Sequence, residues 1–169
     1  AAGRGLKVLL AEMGDLGGAT SSSSSKLVHA GLLCNDADVR RSGGGSGRDW
    51  AVEGDPMEAA LVVLAMKAGL EPALVRRQLQ RVDEIPFDAA HRFMATLHHT
   101  HDRGTFVLVK GAPERVLAMC SHELCSAGRR RIDPGAWHRR SDELAAEGCR
   151  VLALAMKPRS HGTAVLSFD

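Results

Sequence analysis

The stretch Thr105–Leu117, TFVLVKGAPERVL, decides how this chain reads. Its apolar run Phe106–Val107–Leu108–Val109 stops at Lys110 and turns through Gly111–Ala112–Pro113 into a segment of helical character. Four consecutive apolar residues rich in valine predict a strand covered on both faces. A lysine ending such a strand is held at the rim of the sheet. Gly111 has no Cβ, so a ligand or another backbone can approach closely there. Pro113 suits the first turn of a helix, where its missing N–H costs nothing. The corner is a candidate seat for a phosphate or nucleotide, although one lysine on a strand-to-helix turn usually has only a structural role.

The neighbouring segments extend this corner into a sheet. Arg92–His99 alternates, with Phe93, Ala95 and Leu97 on one face, and His101–Gly104 is read as the turn that brings Thr105–Lys110 back antiparallel to it. Ile85–Asp88 predicts a short strand before them. After the corner, Glu114–Cys120 reads as helix, then a loop carries the basic run Arg129–Arg131. Asp133–Pro134 caps and opens a helix on which Trp137, Ser141 and Leu144 share a face, ending at Gly148. Cys149–Lys157 is a strong strand and Thr163–Phe168 a final one.

Upstream, Gly54–Gly69 (GDPMEAALVVLAMKAG) is the clearest helix. Asp55 can cap it, Pro56 fits its first position, and Gly69 can end it in the left-handed conformation. Leu61, Leu64, Ala65 and Ala68 recur at helical spacing and give it a core face. A second helix is predicted over Pro72–Val82, and a third over Lys26–Cys34. Ser21–Ser25 reads as a mobile loop, Leu6–Leu10 as a short strand, and Gly43–Gly47 as a flexible loop without GxGxxG spacing. Hairpin strands with helices between and around them imply an α+β fold: one domain, residues 1–169, with a twisted antiparallel sheet flanked by helices.

A chain of 169 residues, 44% apolar and 25% charged, has globular composition and enough length for a real core. A net charge of +2, with four Phe, two Trp and no Tyr, argues against nucleic acid as a partner. No apolar run reaches the ~18 residues of a membrane span, so no direct membrane contact is expected. The four cysteines form no CxxC pair, which favours a reducing, cytosolic setting over a disulfide scaffold.

No P-loop, GxSxG, HExxH or EF-hand pattern occurs, so no residue is nominated as catalytic. Two clusters invite a metal reading: His98, His99 and His101 with Asp102, and Cys120, His122 and Cys125. On a strand His98 and His99 point to opposite faces, and the Cys–His spacing matches no common zinc pattern. No metal site is assigned. Arg129–Arg131 and Arg139–Arg140 read as solvated charge.

Four stretches combine into a recognisable order: Gly54–Glu58 (GDPME), Pro86–Met94 (PFDAAHRFM), Lys110–Glu114 (KGAPE) and Gly148–Ala153 (GCRVLA). Together with Leu32–Ala37 (LLCNDA) they resemble the nucleotide-binding (N) domain of P-type cation-transporting ATPases, nearest the hard-cation, calcium-pump-like branch. The resemblance covers residues 27–169, whereas 1–26 match poorly. It implies an ATP pocket on the face of the antiparallel sheet. Phe87 corresponds to the aromatic residue that stacks on adenine, although alone it would read as a core phenylalanine. Glu58 corresponds to the carboxylate that accepts from the adenine amino group, although it could instead close a capping box with Asp55. Lys110 corresponds to the lysine deep in the pocket and Gly111 to the glycine that admits the nucleotide. Arg150 corresponds to the arginine that reaches the phosphates, and Arg92 stands where lysine is common.

The resemblance also implies what lies elsewhere. The DKTGT aspartate that accepts the phosphoryl group is absent from these residues. The expected function is therefore to bind ATP and present it, without hydrolysis, to an aspartate on a separate phosphorylation domain, with Mg²⁺ entering in the full-length enzyme. The expected partners are the phosphorylation and actuator domains of the same pump. The expected form is a monomeric cytoplasmic domain of an integral membrane protein. Ala89 and Ala90 replace a serine and a charged residue common in the family, which predicts weaker ATP binding, and Met57 stands where threonine is common. These departures keep a second reading open, an N-domain-like regulatory or protein-interaction module. Metal sensing through the histidine or cysteine clusters is a third.

Overall fold

The computed structural model describes residues 6–12, 23–42, 50–100, 104–125, 128–159 and 165–166. In chain order the elements are β1 (Leu6–Glu12), α1 (Ser23–Leu33), β2 (Asp38–Arg41), β3 (Trp50–Glu53), α2 (Pro56–Lys67), α3 (Pro72–Gln78) and β4 (Gln80–Asp88). There follow β5 (Phe93–Thr100), β6 (Gly104–Gly111), α4 (Pro113–Ala118), β7 (His122–Cys125), β8 (Gly128–Arg131), α5 (Pro134–Ala146) and β9 (Arg150–Arg159). The main sheet runs β4-β5-β6-β9-β1-β7-β8, and β2 pairs with β3 in a separate ribbon. Neighbours are antiparallel except β1, which lies parallel to β9. The expected α+β class holds, with this one parallel pair added.

Alternation along the central strands feeds two cores. Met94, Leu108 and Leu154 pack against α1, α2 and α3 through Ala30, Leu33, Val62, Ala65 and Val75. Phe93, Ala95, Leu97, Val107, Val109 and Ala155 pack against Val116 of α4 and Trp137 of α5. The run Val107–Leu108–Val109 is unbroken because successive side chains serve opposite cores, and all three residues are buried. Leu166 packs on the second core, and its N–H donates to Asp83 Oδ2 on the edge strand β4 at 2.5 Å.

Several elements depart from the sequence reading. The helix expected over Pro72–Val82 ends at Gln78, because Gln80 and Arg81 already pair with His99 and His98 of β5. α1 begins inside the serine run, at Ser23, where the packing of its apolar face outweighs serine's indifferent propensity. Arg129–Arg131 forms the edge strand β8 rather than a loop, its arginines blunting an exposed sheet edge. β2, β3 and β7 were not expected. The Gly43–Gly47 loop and residues 101–103 of the expected hairpin turn lie outside the described residues. So does most of the strand expected over Thr163–Phe168; Val165 and Leu166, which are described, are not in a strand.

Candidate functional site

Pairing across four strands aligns one row of residues: Asp88 with Phe93, Phe93 with Gly111, and Gly111 with Ala153. Phe87, Arg92 and Lys110 each sit one position from this row, so residues from two separate stretches of the sequence reach the same end of the sheet. With neighbouring strands about 4.8 Å apart, Asp88 and Gly111 lie within about 10 Å. Arg150 opens β9, three positions before Ala153, and is exposed.

Lys110 shares its face of β6 with Leu108 and is therefore turned toward α2, with its side chain 4% exposed. There its ammonium donates to Glu58 Oε1. The other carboxylate oxygen, Oε2, accepts from the Asp36 backbone N–H at 3.0 Å. Glu58 stands in the first turn of α2, and Asp55 caps that turn by accepting from the N–H groups of Met57 (2.8 Å) and Glu58 (3.2 Å). Both Glu58 oxygens are directed at Lys110 and Asp36, so the carboxylate serves the sheet and not a capping box. A paired buried charge of this kind is tolerated, whereas removing one partner typically costs about 3–5 kcal/mol. Below the pair, Cys34 is fully buried with Sγ directed at the carbonyls of Met94 (3.9 Å) and Leu108 (3.7 Å). Burial pushes its thiol up to about 11, with nearby Lys110 opposing, so it stays protonated and unreactive at neutral pH.

Gly111 is required by its neighbours. A Cβ there would lie 2.5 Å from the Arg92 carbonyl oxygen and 2.7 Å from Phe93 Cα. The space left by the missing side chain is filled by β5. Arg92 itself has a left-handed backbone, φ 58°, and its carbonyl accepts from the Ala112 N–H at 2.9 Å. The turn leading to it is closed by Asp88, whose Oδ1 accepts from Ala90 N (2.8 Å) and His91 N (3.1 Å). Those two donors, His91 first, hold the Asp88 carboxyl below its ordinary pKa. Arg92 Nη1 pairs with Glu114 Oε1 at 2.6 Å, and Arg115 Nε donates to the His91 carbonyl at 3.1 Å. The PFDAAHRF turn and the KGAPE corner are thus tied together at both main-chain and side-chain level.

Phe87 lies in the irregular stretch where β4 slips register between Ile85 and Asp88, and it is 62% exposed. It is not a core phenylalanine. The exposed Phe87 ring, the two arginines and the lysine–glutamate pair together offer a flat apolar surface, cationic groups and a hydrogen-bond acceptor toward one end of the sheet.

Sequence reasoning missed the groups behind Glu58: Asn35, Asp36 and Arg81. The only signal for Asn35 and Asp36 was the LLCNDA stretch, and Arg81 had none. A cleft of about 310 Å³ lies there, lined among others by Asp36, Arg76, Arg81 and His98, and Lys110 and Phe87 do not line it. His98 is buried, with Nδ1 at 2.9 Å from the Leu79 carbonyl and Nε2 at 2.9 Å from Thr96 Oγ1, while His99 is exposed. Among the described residues no group of three His, Cys, Asp or Glu side chains is arranged to hold a metal. None of the described helices is long and apolar enough to cross a membrane.

Comparison with known proteins places these features in a family. The model of the P-type ATPase cytoplasmic domain N matches residues 23–165. The chain is 41% identical over 128 residues to the cation-transporting ATPase pma1 of Synechocystis, covering 75% of this chain and 14% of that protein. It is 40% identical over 130 residues to the probable cation-transporting ATPase F of Mycobacterium tuberculosis, again 75% and 14%. To the human calcium-transporting ATPase type 2C member 1 it is 32% identical over 142 residues, 79% of this chain and 14% of that protein. The chain thus spans about one seventh of the length of the curated relatives it matches. It belongs to the family of cytoplasmic N domains of P-type cation-transporting ATPases.

Proposed function

We propose that this domain binds ATP at the sheet end described above and presents its γ-phosphate to an aspartate on a separate phosphorylation domain. The observation that carries the reading is the pair of buried Lys110 and half-buried Glu58, set at the same sheet end as an exposed Phe87. In this reading the adenine stacks on Phe87, its amino group donates to the Glu58 carboxylate, and Lys110 forms the deep wall. Arg92 and Arg150 attract the phosphate chain from the rim. Gly111 acts one step back, by letting β5 and β6 close against each other. Ala89 and Ala90 supply no polar side chain to the phosphates, so affinity is modest. In this reading phosphoryl transfer takes place on the separate phosphorylation domain, and this domain's contribution is positioning. Mg²⁺ belongs to the assembled pump, whose other cytoplasmic domains would be the partners of this one.

Titration with ATP tests this directly. Amide resonances around Phe87, Lys110 and Arg150 should shift saturably, and Phe87→Ala should weaken binding by about 1–3 kcal/mol, the worth of one base–aromatic stack. Saturating ATP that leaves those resonances unmoved would refute the reading. Turnover by the isolated chain should not exceed the blank.

A further inference from the structure

Between α1 and β2 the chain passes through Leu33–Cys34–Asn35–Asp36–Ala37, and this short link is fastened from several sides. Asn35 is 2% exposed. Its Nδ2 donates to the carbonyls of Gly31 at 3.0 Å and Glu58 at 2.8 Å, and its Oδ1 accepts from the Ala37 N–H at 2.8 Å. Arg81, from β4, donates through Nη2 to the carbonyls of Leu33 at 3.1 Å and Asn35 at 2.7 Å. Through Nη1 it meets Asp36 Oδ1 and Glu84 Oε2, both at 2.6 Å. Arg76 holds the Ala37 carbonyl at 2.8 Å. Of the charged groups lining the neighbouring cleft, Asp36 and Arg81 are therefore paired with each other and Arg76 with Asp38 outside it, and the cleft is the back of a scaffold rather than a second pocket.

What this fastening presents to the front is one group, the Asp36 N–H on Glu58 Oε2. We infer that Asn35, backed by Arg81, is a positioning residue for the Glu58 carboxylate. It pins the Glu58 main chain through that residue's carbonyl and aims the Asp36 N–H at its side chain. The carboxylate is thereby fixed on two sides, by Asp36 and by Lys110, before any ligand arrives. A carboxylate so oriented discriminates between bases that offer an amino donor and bases that offer a carbonyl at the same ring position. The inference rests on the nucleotide reading above and adds a specificity determinant to it.

The test compares ATP with inosine triphosphate, which carries a carbonyl where adenine has its amino group. Both are titrated calorimetrically into the intact chain and into Asn35→Ala. Unmodified protein should prefer ATP. In Asn35→Ala, ATP affinity should fall about tenfold while inosine triphosphate changes less than about twofold, so the preference collapses. A merely structural asparagine would weaken both nucleotides together or leave the preference intact, and either result overturns the inference. So does unmodified protein that binds the two equally, a result that leaves ATP binding itself standing. Unmodified protein that binds neither refutes the nucleotide reading instead. If Asn35→Ala does not fold, Arg81→Lys carries the same comparison: it shortens the reach to the Leu33 and Asn35 carbonyls, and the same narrowing is expected.

Discussion

Two glutamates in this domain, Glu123 buried and Glu58 half-buried, are satisfied in the same way and serve different ends. Glu58 is met by a lysine and a main-chain N–H; Glu123 is met by Arg130 Nε and Trp137 Nε1. In each case a carboxylate taken from water is repaid by one cation and one neutral donor. The surroundings separate them. Glu123 pairs with a residue directly opposite it on β7–β8, and its arginine side chain is 69% exposed. Its second donor is an indole packed in the second core. Glu58 and Lys110 come from different layers, 52 residues apart, and here the cation is the more hidden partner, 4% exposed against 14% for the carboxylate. A cross-strand bond to a solvated arginine fastens a hairpin. A pair whose cation is buried and whose carboxylate is half-buried, at the same sheet end as an exposed ring, holds polarity where a ligand can use it.

The strongest way to break this comparison is Lys110→Met. It leaves the half-buried Glu58 without its cation and should cost at most about 3–5 kcal/mol in urea unfolding, with ATP binding lost. Adding Glu58→Gln should return part of the stability and none of the binding. A single variant as stable as the unmodified protein would mean that the pair is not enclosed in solution. The matching change at the other glutamate, Trp137→Phe, removes one donor from Glu123 and should cost about 1–3 kcal/mol. ATP affinity should stay unchanged there, and a drop would erase the distinction between fastener and site.

The smallest effect is a pH dependence on the hidden side of the sheet. Burial, with a smaller contribution from Arg81, lowers the His98 pKa below the ordinary 6.5, against the opposing bond to Leu79. The unfolded chain then binds the proton more readily than the folded one. Stability contributed by the neutral ring is complete above pH 6.5 and is lost as pH falls through 6.5 toward the folded value. Subtracting the unfolding profile of His98→Gln from that of the unmodified protein should leave a difference confined to that acid window. A flat difference would show that His98 titrates alike in both states.

Much of this architecture was legible in the sequence because local chemistry and tertiary packing agree. Asp55–Pro56 and Asp133–Pro134 announce the starts of α2 and α5, and both aspartates do cap. The valine-rich run before Lys110 announces a strand between two layers, as found. Reading failed where partners distant in sequence decide. Nothing local shows that Gln80–Glu84 leaves a helix for β5, or that Arg130 finds Glu123 and so turns a basic loop into a strand. At the site, residue types and order were readable, but direction was not: whether Glu58 caps its own helix or crosses to Lys110 depends on a strand 52 residues away. Asn35 and Arg81 were unreadable for the same reason, being joined across 46 residues.

The contact between Leu166 and Asp83 has a mechanical side. Asp83 lies on the edge strand β4, four positions before Phe87. The Leu166 N–H anchors to its carboxylate while the Leu166 side chain grips the second core. Tension applied to the chain at residue 166 therefore enters the domain along β4. That strand carries two register slips, one between Arg81 and Asp83 at the anchor itself and one between Ile85 and Asp88, where Phe87 stands. The domain thus has a load path that runs from its last described segment to the ring expected to hold the base.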